Sequence, residues 1–289
     1  MPSARDIRRR IKSVTSTAQI TRAMQMVAAS KMGKAQEAAL TTRPFAQLLY
    51  RIQRHATTHA GDFTHPLLEV RPVRKRAVIL FGTDKGLCGA LNSNLFRLAE
   101  QFDSGTTVFI AAGKRAAEFI AETSGQLAAE FTFSDEPRFD EARPIAAFAS
   151  DLFLKREVDQ VQVVAPRFVN TMTQEPDVLE FLPIGEIKEL KMVGAASDAV
   201  APDVTQFLFE FSAGEVLGYL FGHYLNIYVY RVMLEAKASE QSARMVAMKN
   251  ATDNATGLIR DLTLGYNHLR QGNITKEMLE IAGGQLDND

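Results

Sequence analysis

Both ends of this sequence are predicted to form very long helices. No proline interrupts the chain between Pro2 and Pro44, and none follows Pro202. Apolar residues recur at helical spacing from Ile7 onward, and again in the last stretch as far as about Ala282. The second helix would run for ~70 residues, or ~105 Å, at 1.5 Å per residue. Helices of this length must pack on a partner, and the simplest arrangement pairs them with each other, antiparallel.

Capping signals mark where the two helices begin. Ser3 is a predicted N-cap with Asp6 three residues later, and Ser212 with Glu215 repeats the pattern. In such a pair each residue can hydrogen-bond the other's backbone N–H at the helix start. Pro44 is predicted to kink the first helix rather than end it, because the apolar period continues beyond it.

Small residues fill much of the predicted seam between the helices. In the last helix the seam follows heptad steps of four and three residues, with half of its positions small. A mid-helix glycine costs about 0.5–1 kcal/mol relative to alanine, so the glycines here indicate close contact with a partner, unless they provide only local flexibility. The predicted seam is Ala251, Ala255, Leu258, Leu262, Gly265, Leu269 and Gly272 in the last helix, and Ile7, Ile11, Val14, Ala18, Thr21, Gln25, Ala28, Met32 and Ala35 in the first.

The middle of the chain has a different pattern. From about Arg71 to Phe211, short β-branched and aromatic runs alternate with helical stretches, which predicts crossover units and a mostly parallel sheet. The class is therefore α/β, in three parts: a helix over 1–60, a sheet domain over 71–211 and a helix over 212–289. The predicted strands are "RAVILFG", "TTVFIAA", "EFTF", "VQVVAP", "VLEFLPI" and a final "FLFEF".

Composition and charge exclude several classes of protein. The 289 residues are 46% hydrophobic with a net charge of −1, which suits a globular protein and names no partner by charge alone. A single cysteine, Cys88, excludes an internal disulfide framework, and no apolar run reaches the roughly 18 residues of a membrane span. Residues 1–36 hold one acid, Asp6, among eight bases. That basic start is compatible with a transit peptide, a nucleic-acid arm or a helix with a basic face.

Motifs for catalysis or metal binding do not emerge from the sequence. "GTDKGLCGAL" follows a predicted strand, but its glycines match neither G-x-G-x-x-G nor G-x-x-x-x-G-K-[ST], which favours a plain strand-to-helix turn. His55 and His59 are four residues apart, yet Ala56 stands where a zinc peptidase needs an acid. Cys88 is expected to be a small buried residue. No catalytic residue, metal or cofactor is therefore predicted.

Three stretches resemble the gamma subunit of F-type ATP synthases. They are "SARDIRRRIKSVTSTAQITRAMQMVAASKMGKAQ" at the start, "GTDKGLCGALNSN" in the middle and "ASEQSARMVAMKNATDNATGLIRDLTLGYNHLRQGNITKEMLEIAGG" near the end. The resemblance implies a Rossmann-like middle domain and terminal helices that form an antiparallel coiled coil.

The resemblance also implies a function. The family's subunit is a non-catalytic rotary shaft, which couples transmembrane ion flow to ATP synthesis or hydrolysis at the beta subunits. Its partners are the alpha and beta subunits, the epsilon subunit and the membrane rotor ring of c subunits. It implies neither a nucleic-acid partner nor a membrane span of its own. We expect a peripheral protein on the cytoplasmic side of a bacterial inner membrane.

Residue roles follow from the same resemblance. Arg270 and Gln271, in "LRQ", match the position where the shaft hydrogen-bonds a loop of a beta subunit. Met24, in "TRAMQM", matches the shaft position that faces the lower lever of beta. Glu210, in "FLFEF", matches an acid near the rotor-ring contact, although Phe207 and Phe209 replace the family's usual tyrosines.

The basic residues at the start are assigned in the same way. Arg8, Arg9, Arg10 and Lys12 are expected to face acidic partner surfaces, with simple solvation as the alternative. A second hypothesis makes this segment the binding arm of a nucleic-acid-binding coiled-coil protein, and a third makes the chain a nucleotide-using enzyme with a Rossmann-like core.

Some residues depart from the family pattern. Gly33 stands where arginine is common, and Gly265, His268 and Gly272 replace larger or different residues near the end of the shaft. These departures indicate a divergent member, such as one of the alternative complexes that pump sodium. The coupled ion, proton or sodium, is chosen in the rotor ring and not by this chain.

Overall fold

The computed structural model describes residues 3–59, 65–184 and 213–286. Along the chain, one long helix precedes a sheet domain and a second long helix follows it. A short 3₁₀ turn, Pro66–Leu68, precedes the sheet. The helices are α1 Ala4–His59, α2 Leu91–Ala99, α3 Lys114–Glu122, α4 Phe139–Leu154 and α5 Ala213–Leu286, and the strands are β1 Arg76–Phe81, β2 Thr107–Ala112, β3 Gln126–Phe131, β4 Gln160–Phe168 and β5 Gln174–Leu182.

The chain divides into two compact units. The first combines the start of α1, up to Val27, with the end of α5, from Met245 onward. The second is the continuous stretch Ala28–Arg244. The predicted division into 1–60, 71–211 and 212–289 stays a prediction.

The first unit begins with the predicted capping box. The Asp6 backbone N–H donates to Ser3 Oγ at 3.2 Å, and the Ser3 backbone N–H donates to Asp6 Oδ2 at 3.3 Å. Hydrogen bonds from Ser3 lower the pKa of the Asp6 carboxyl. The capping box predicted for the last helix includes Ser212, which lies outside the described residues.

Within the first unit the segments of α1 and α5 lie side by side. Thr21 Oγ1 and Thr252 Oγ1 share a hydrogen bond of 2.7 Å. Ile7 is buried, and on α5 half-buried side chains continue from Thr252 to Leu269. Because this unit contains no part of α5 before Met245, the start of α1 must lie against the later residues of α5. The two segments are therefore antiparallel.

The predicted seam is confirmed on α1 and partly wrong on α5. All nine predicted positions of α1 are buried or half-buried. On α5, Leu258 and Gly265 are exposed, and their neighbours Ile259 and Tyr266 take the seam positions. Gly272 is also exposed. The observed seam keeps the heptad steps and runs through Met248, Thr252, Ala255, Ile259, Leu262, Tyr266 and Leu269.

The glycines of α5 do not make the close contact predicted for them. A Cβ added at Gly257, Gly265 or Gly272 would meet no atom within 4 Å among the residues that the structure describes. The α1 segment faces the adjacent seam positions instead. Close packing against Gly265 therefore has no basis in this structure.

The second unit contains a five-stranded sheet in the order β3-β2-β1-β4-β5. All neighbours are parallel except β4 and β5, which confirms the predicted mostly parallel α/β class. The predicted strand "EFTF" begins earlier, at Gln126, and "FLFEF" lies outside the described residues. Helix α1 continues through Pro44 to His59.

Helices cover both faces of this sheet. Apolar side chains of α4 and α5 pack on one face, around Phe153, Ile145 and Met233. Those of α2 and α3 pack on the other, around Leu95 and Ile120. The central strands are buried on both sides, as a doubly wound sheet requires. Because these strands are parallel, their carboxyl ends lie at the same edge of the sheet.

Candidate partner-binding surface

A row of exposed cations occupies the start of α1. Arg8, Arg9, Arg10 and Lys12 are all exposed. None forms a salt bridge with another residue in the part of the chain that the structure describes. The first turn is fixed by the capping box of Ser3, so these cations project from an ordered helix.

The end of α5 extends beyond its pairing with α1. The same number of residues separates Thr21 from Ala4 as separates Thr252 from Leu269, so α1 begins opposite Leu269. Beyond that point every side chain from Arg270 to Lys276 is exposed. We name residues 270–279 the tip segment.

The tip segment exposes both polar and apolar side chains. Arg270 and Gln271 are exposed at its start. Ile274, Met278 and Leu279 follow, with exposures of 47%, 66% and 67%. Apolar side chains left in water in such a cluster indicate a surface that another protein covers. Ile274 and Met278 are four residues apart, which places them on one face of the helix. Leu279 directly follows Met278.

The structure brings some of the predicted residues together. Arg8, Arg9 and Arg10 lie near the start of α1, at the same end of the helix pair as Arg270 and Gln271. Met24 is half-buried and lies on the opposite side of the Thr21–Thr252 contact. Glu210 lies outside the described residues. The predicted residues therefore fall in two separate places on the helix pair, one at the tip segment and one around Met24.

The second unit contains a buried charged cluster that the sequence analysis missed. It consists of Lys237, Glu240 and Arg244 on α5. Lys237 Nζ lies 3.1 Å from Glu240 Oε2, and Arg244 Nη2 donates to Glu240 Oε1 at 2.8 Å. All three are buried. Their spacing of three and four residues places them on one helical face, and that is the signal which could have identified them.

The turn after β1 is an ordinary strand-to-helix connection, as predicted. Asn92 Nδ2 donates to Thr83 Oγ1 at 2.7 Å and ties the turn to α2. Cys88 is buried, and burial raises the pKa of its thiol. Leu87 holds a φ of 64°, which is rare for a bulky residue, so the turn is tightly constrained by its surroundings.

Metal-binding clusters and membrane-spanning helices are both absent from the described residues. Within residues 3–59, 65–184 and 213–286 there is no group of three or more His, Cys, Asp or Glu side chains placed to hold a metal ion. Over the same residues, none of the helices combines the length and the apolar character needed to cross a membrane.

Comparisons with known proteins agree with this architecture. Residues 3–286 match the ATP synthase family. The "ATP synthase gamma chain" of Opitutus terrae is 46% identical over 291 residues, covering 99% of both chains. In fold, the chain is similar to one from the Euglena gracilis mitochondrial ATP synthase in an OSCP/F1/c-ring structure, with a TM-score of 0.70 at 22% identity over 98% of this chain and 94% of that one.

A second solved structure has the same fold. It is a chain of the central stalk/c-ring structure of the Tetrahymena thermophila mitochondrial ATP synthase, with a TM-score of 0.60 at 22% identity over 80% of this chain and 99% of that one. The match to the family spans nearly the whole described chain, and the relative from Opitutus terrae is similar over its full length. The chain therefore belongs to the gamma subunits of ATP synthase.

Proposed function

We propose that this subunit is the rotating shaft that couples ion flow across a membrane to ATP synthesis and hydrolysis at the beta subunits. The observation that carries the proposal is the tip segment, a single helix in which every described side chain is exposed. A helix that exposes apolar side chains on one face and polar side chains on the others can be enclosed by a socket of surrounding subunits. A ring of alpha and beta subunits supplies such a socket.

The shaft works through its asymmetry. One side of the helix pair presents α1 and the other presents α5, so each beta subunit in a ring of three meets a different surface. A difference in contact free energy shifts each catalytic site toward a different conformation. Rotation then carries each site through the states in turn. The subunit contributes no bond chemistry of its own in this proposal.

Named residues take separate roles in these contacts. Arg270 and Gln271 would hydrogen-bond a loop of a beta subunit at the tip segment, and an arginine donor strengthens such a bond. Met24 would contact the lower lever of a beta subunit. Arg8, Arg9, Arg10 and Lys12 would face acidic partner surfaces.

The other end of the assembly is part of the same proposal. The second unit, with the epsilon subunit, would rest on the membrane rotor ring of c subunits, and Glu210 would contribute to that contact. The complex would be peripheral on the cytoplasmic side of a bacterial inner membrane. The coupled ion would be set by the rotor ring.

Reconstitution tests the proposal directly. Purified alpha and beta subunits are mixed with the full chain, and co-purification and ATPase activity are measured with and without it. We expect one copy of the chain per six-membered ring, with ATPase activity that depends on it. A chain that does not join the ring would overturn the proposal. Retention on nucleic acid with a steep salt dependence would instead favour the binding-arm hypothesis for the basic start of α1.

A further inference from the structure

The sheet of the second unit has a topological switch point between β1 and β4. From β1 the chain proceeds outward to β2 and β3, and then returns to place β4 on the other side of β1. In open α/β sheets a ligand binds in the crevice at the carboxyl ends of the strands, at the position where the strand order reverses. In this sheet that position lies beyond Phe81 of β1 and Phe168 of β4.

Helix α5 of the same unit crosses this position. Arg244 Nη2 donates to the Lys85 and Gly86 carbonyls, at 3.1 and 3.2 Å, in the turn that follows β1. At the end of β4 the Phe168 backbone N–H donates to Glu235 Oε1 at 3.2 Å. One segment of α5, residues 235–244, therefore contacts the carboxyl ends of both strands.

The contact is polar and balanced in charge, with a buried centre and a partly exposed edge. Lys237 is 2% exposed, and its Nζ lies 4.0 Å from Asp84 Oδ2 and 3.8 Å from Asp135 Oδ1. Lys31 of α1 reaches the same Asp135 at 2.6 Å. With Arg244 and Glu240, three cations meet three carboxylates. A buried ion is tolerated only with partners of this kind, so the side chains fit a built site and not an accidental approach.

We propose that this segment of α5 is a permanent internal ligand of the sheet, and that its buried charged cluster fixes the rotational position of α5 on the second unit. The inference rests on the proposed function as a rotating shaft. Arg244 acts as a positioning residue: its guanidinium donates to two backbone carbonyls in the turn that follows β1.

Fixing the rotational position of a helix requires directional bonds. The apolar side chains of α5 from Phe221 to Ala236 already pack on the sheet, but apolar contact is non-directional and resists rotation about the helix axis weakly. The hydrogen bonds of Arg244 to two backbone carbonyls hold one angle. Under load, residues 235–244 of α5 and the sheet then turn together.

The filled crevice is tested by ligand binding to the unaltered full chain. Equilibrium dialysis with ATP and with NAD is expected to show no binding tighter than about 1 mM, because the switch point is occupied. Stoichiometric binding at micromolar concentration, lost when a bulky side chain replaces Gly86, would overturn the inference and leave the shaft function untouched.

The role of Arg244 in fixing α5 is tested in the assembled complex with Arg244→Met. The change removes the donors and keeps much of the side-chain volume. Per assembled complex, we expect ATP hydrolysis within about twofold of the unaltered protein and ATP synthesis reduced about threefold or more, because the lost bonds are charge-assisted. Arg97→Met is the matched control, since Arg97 is exposed on α2 of the same unit. Synthesis that equals the control would overturn the inference.

Two further variants keep the test open if Arg244→Met fails to assemble. Arg244→Lys keeps the charge but cannot reach both carbonyls and Glu240 together, and Asp84→Asn alters the partner of Lys237 on the sheet side. A lowered ratio of synthesis to hydrolysis in both supports the inference, and an unchanged ratio in both overturns it. If complexes with the unaltered chain synthesise no ATP, it is the proposed function that fails.

Discussion

The two units bury their side chains to different extents. In the second unit the strands β1 and β4 are buried almost throughout, and helices pack on both faces of the sheet. In the first unit, among the described residues, only Ile7, Thr21, Met248 and Ala255 are buried. Burial of apolar surface is the main favourable contribution to folding. The second unit therefore contains its own stabilising core, whereas the helix pair leaves much of its apolar surface exposed.

The largest expected effect tests the core of the second unit. Phe153 is fully buried, and the Arg71 guanidinium lies 4.3 Å from the centre of its ring. Phe153→Ala should lower the free energy of unfolding by about 3–5 kcal/mol, because it leaves a cavity under α4. Urea unfolding measures the change. Leu264→Ala, at a 54% exposed position of the helix pair, should change it by less than about 0.5 kcal/mol. If both variants lowered the free energy of unfolding equally, the difference in burial between the two units would not determine stability.

The next prediction concerns function in the helix pair. Arg270→Ala should reduce coupled ATP synthesis by about tenfold, the loss expected for a charge-assisted hydrogen bond to a partner. The helicity of the isolated chain should not change, because Arg270 is exposed and beyond the pairing with α1. Circular dichroism and synthesis in reconstituted vesicles measure the two quantities.

Arg260→Ala is the matched control for that change. Arg260 is another exposed arginine of α5, but it lies within the paired part of the helix. We expect coupled synthesis close to that of the unaltered complex. If Arg260→Ala and Arg270→Ala reduce synthesis equally, the effect belongs to net charge and not to the tip segment.

A smaller effect is expected at the exposed glycines. Gly265→Ala should raise the free energy of unfolding by about 0.5–1 kcal/mol, because it restricts the unfolded chain and a Cβ there meets nothing within 4 Å among the described residues. Thermal unfolding measures it. A lower melting temperature would mean that Gly265 does contact the companion helix, as the sequence analysis had predicted.

The smallest effect is a pH dependence in the second unit. The hydrogen bond from Lys31 lowers the pKa of Asp135. A lowered pKa contributes stability above the unfolded value of about 3.9, and this is lost as the pH falls through the folded value. Asp135→Asn should therefore destabilise the protein slightly at pH 7 and less at pH 3. Asp135 is 37% exposed, so solvent screens the pair. If Asp135→Asn shifts the urea midpoint equally at pH 7 and pH 3, the predicted pH dependence is wrong.

Much of the fold was accessible from local signals. The missing prolines and the Ser3 capping box predicted α1, and alternation of β-branched and helical runs predicted the parallel sheet. The seam positions of α5 were harder to predict from the sequence. Leu258 and Ile259 are equally apolar neighbours that differ by about 100° around the helix, so only the register against α1 decides which of them is covered.

The buried charges were the least accessible feature. Charged residues are almost never fully buried unless they are paired, so Lys237, Glu240 and Arg244 would each be assigned to a solvated face. Their partners lie far away in the chain, as Lys85 does for Arg244. The roles of Arg270, Gln271 and Met24 depend on other subunits, and a single chain leaves them as proposals.

The occupation of the sheet's switch point by α5 has a consequence for regulation. A tethered group is present at its site at an effective concentration of about millimolar or above, set by the connecting chain, and no dilution in the cell lowers it. A metabolite could reach the Lys85 and Gly86 carbonyls only by displacing the Arg244 side chain that donates to them. A small molecule that acts at that place must therefore compete with a group that is always present.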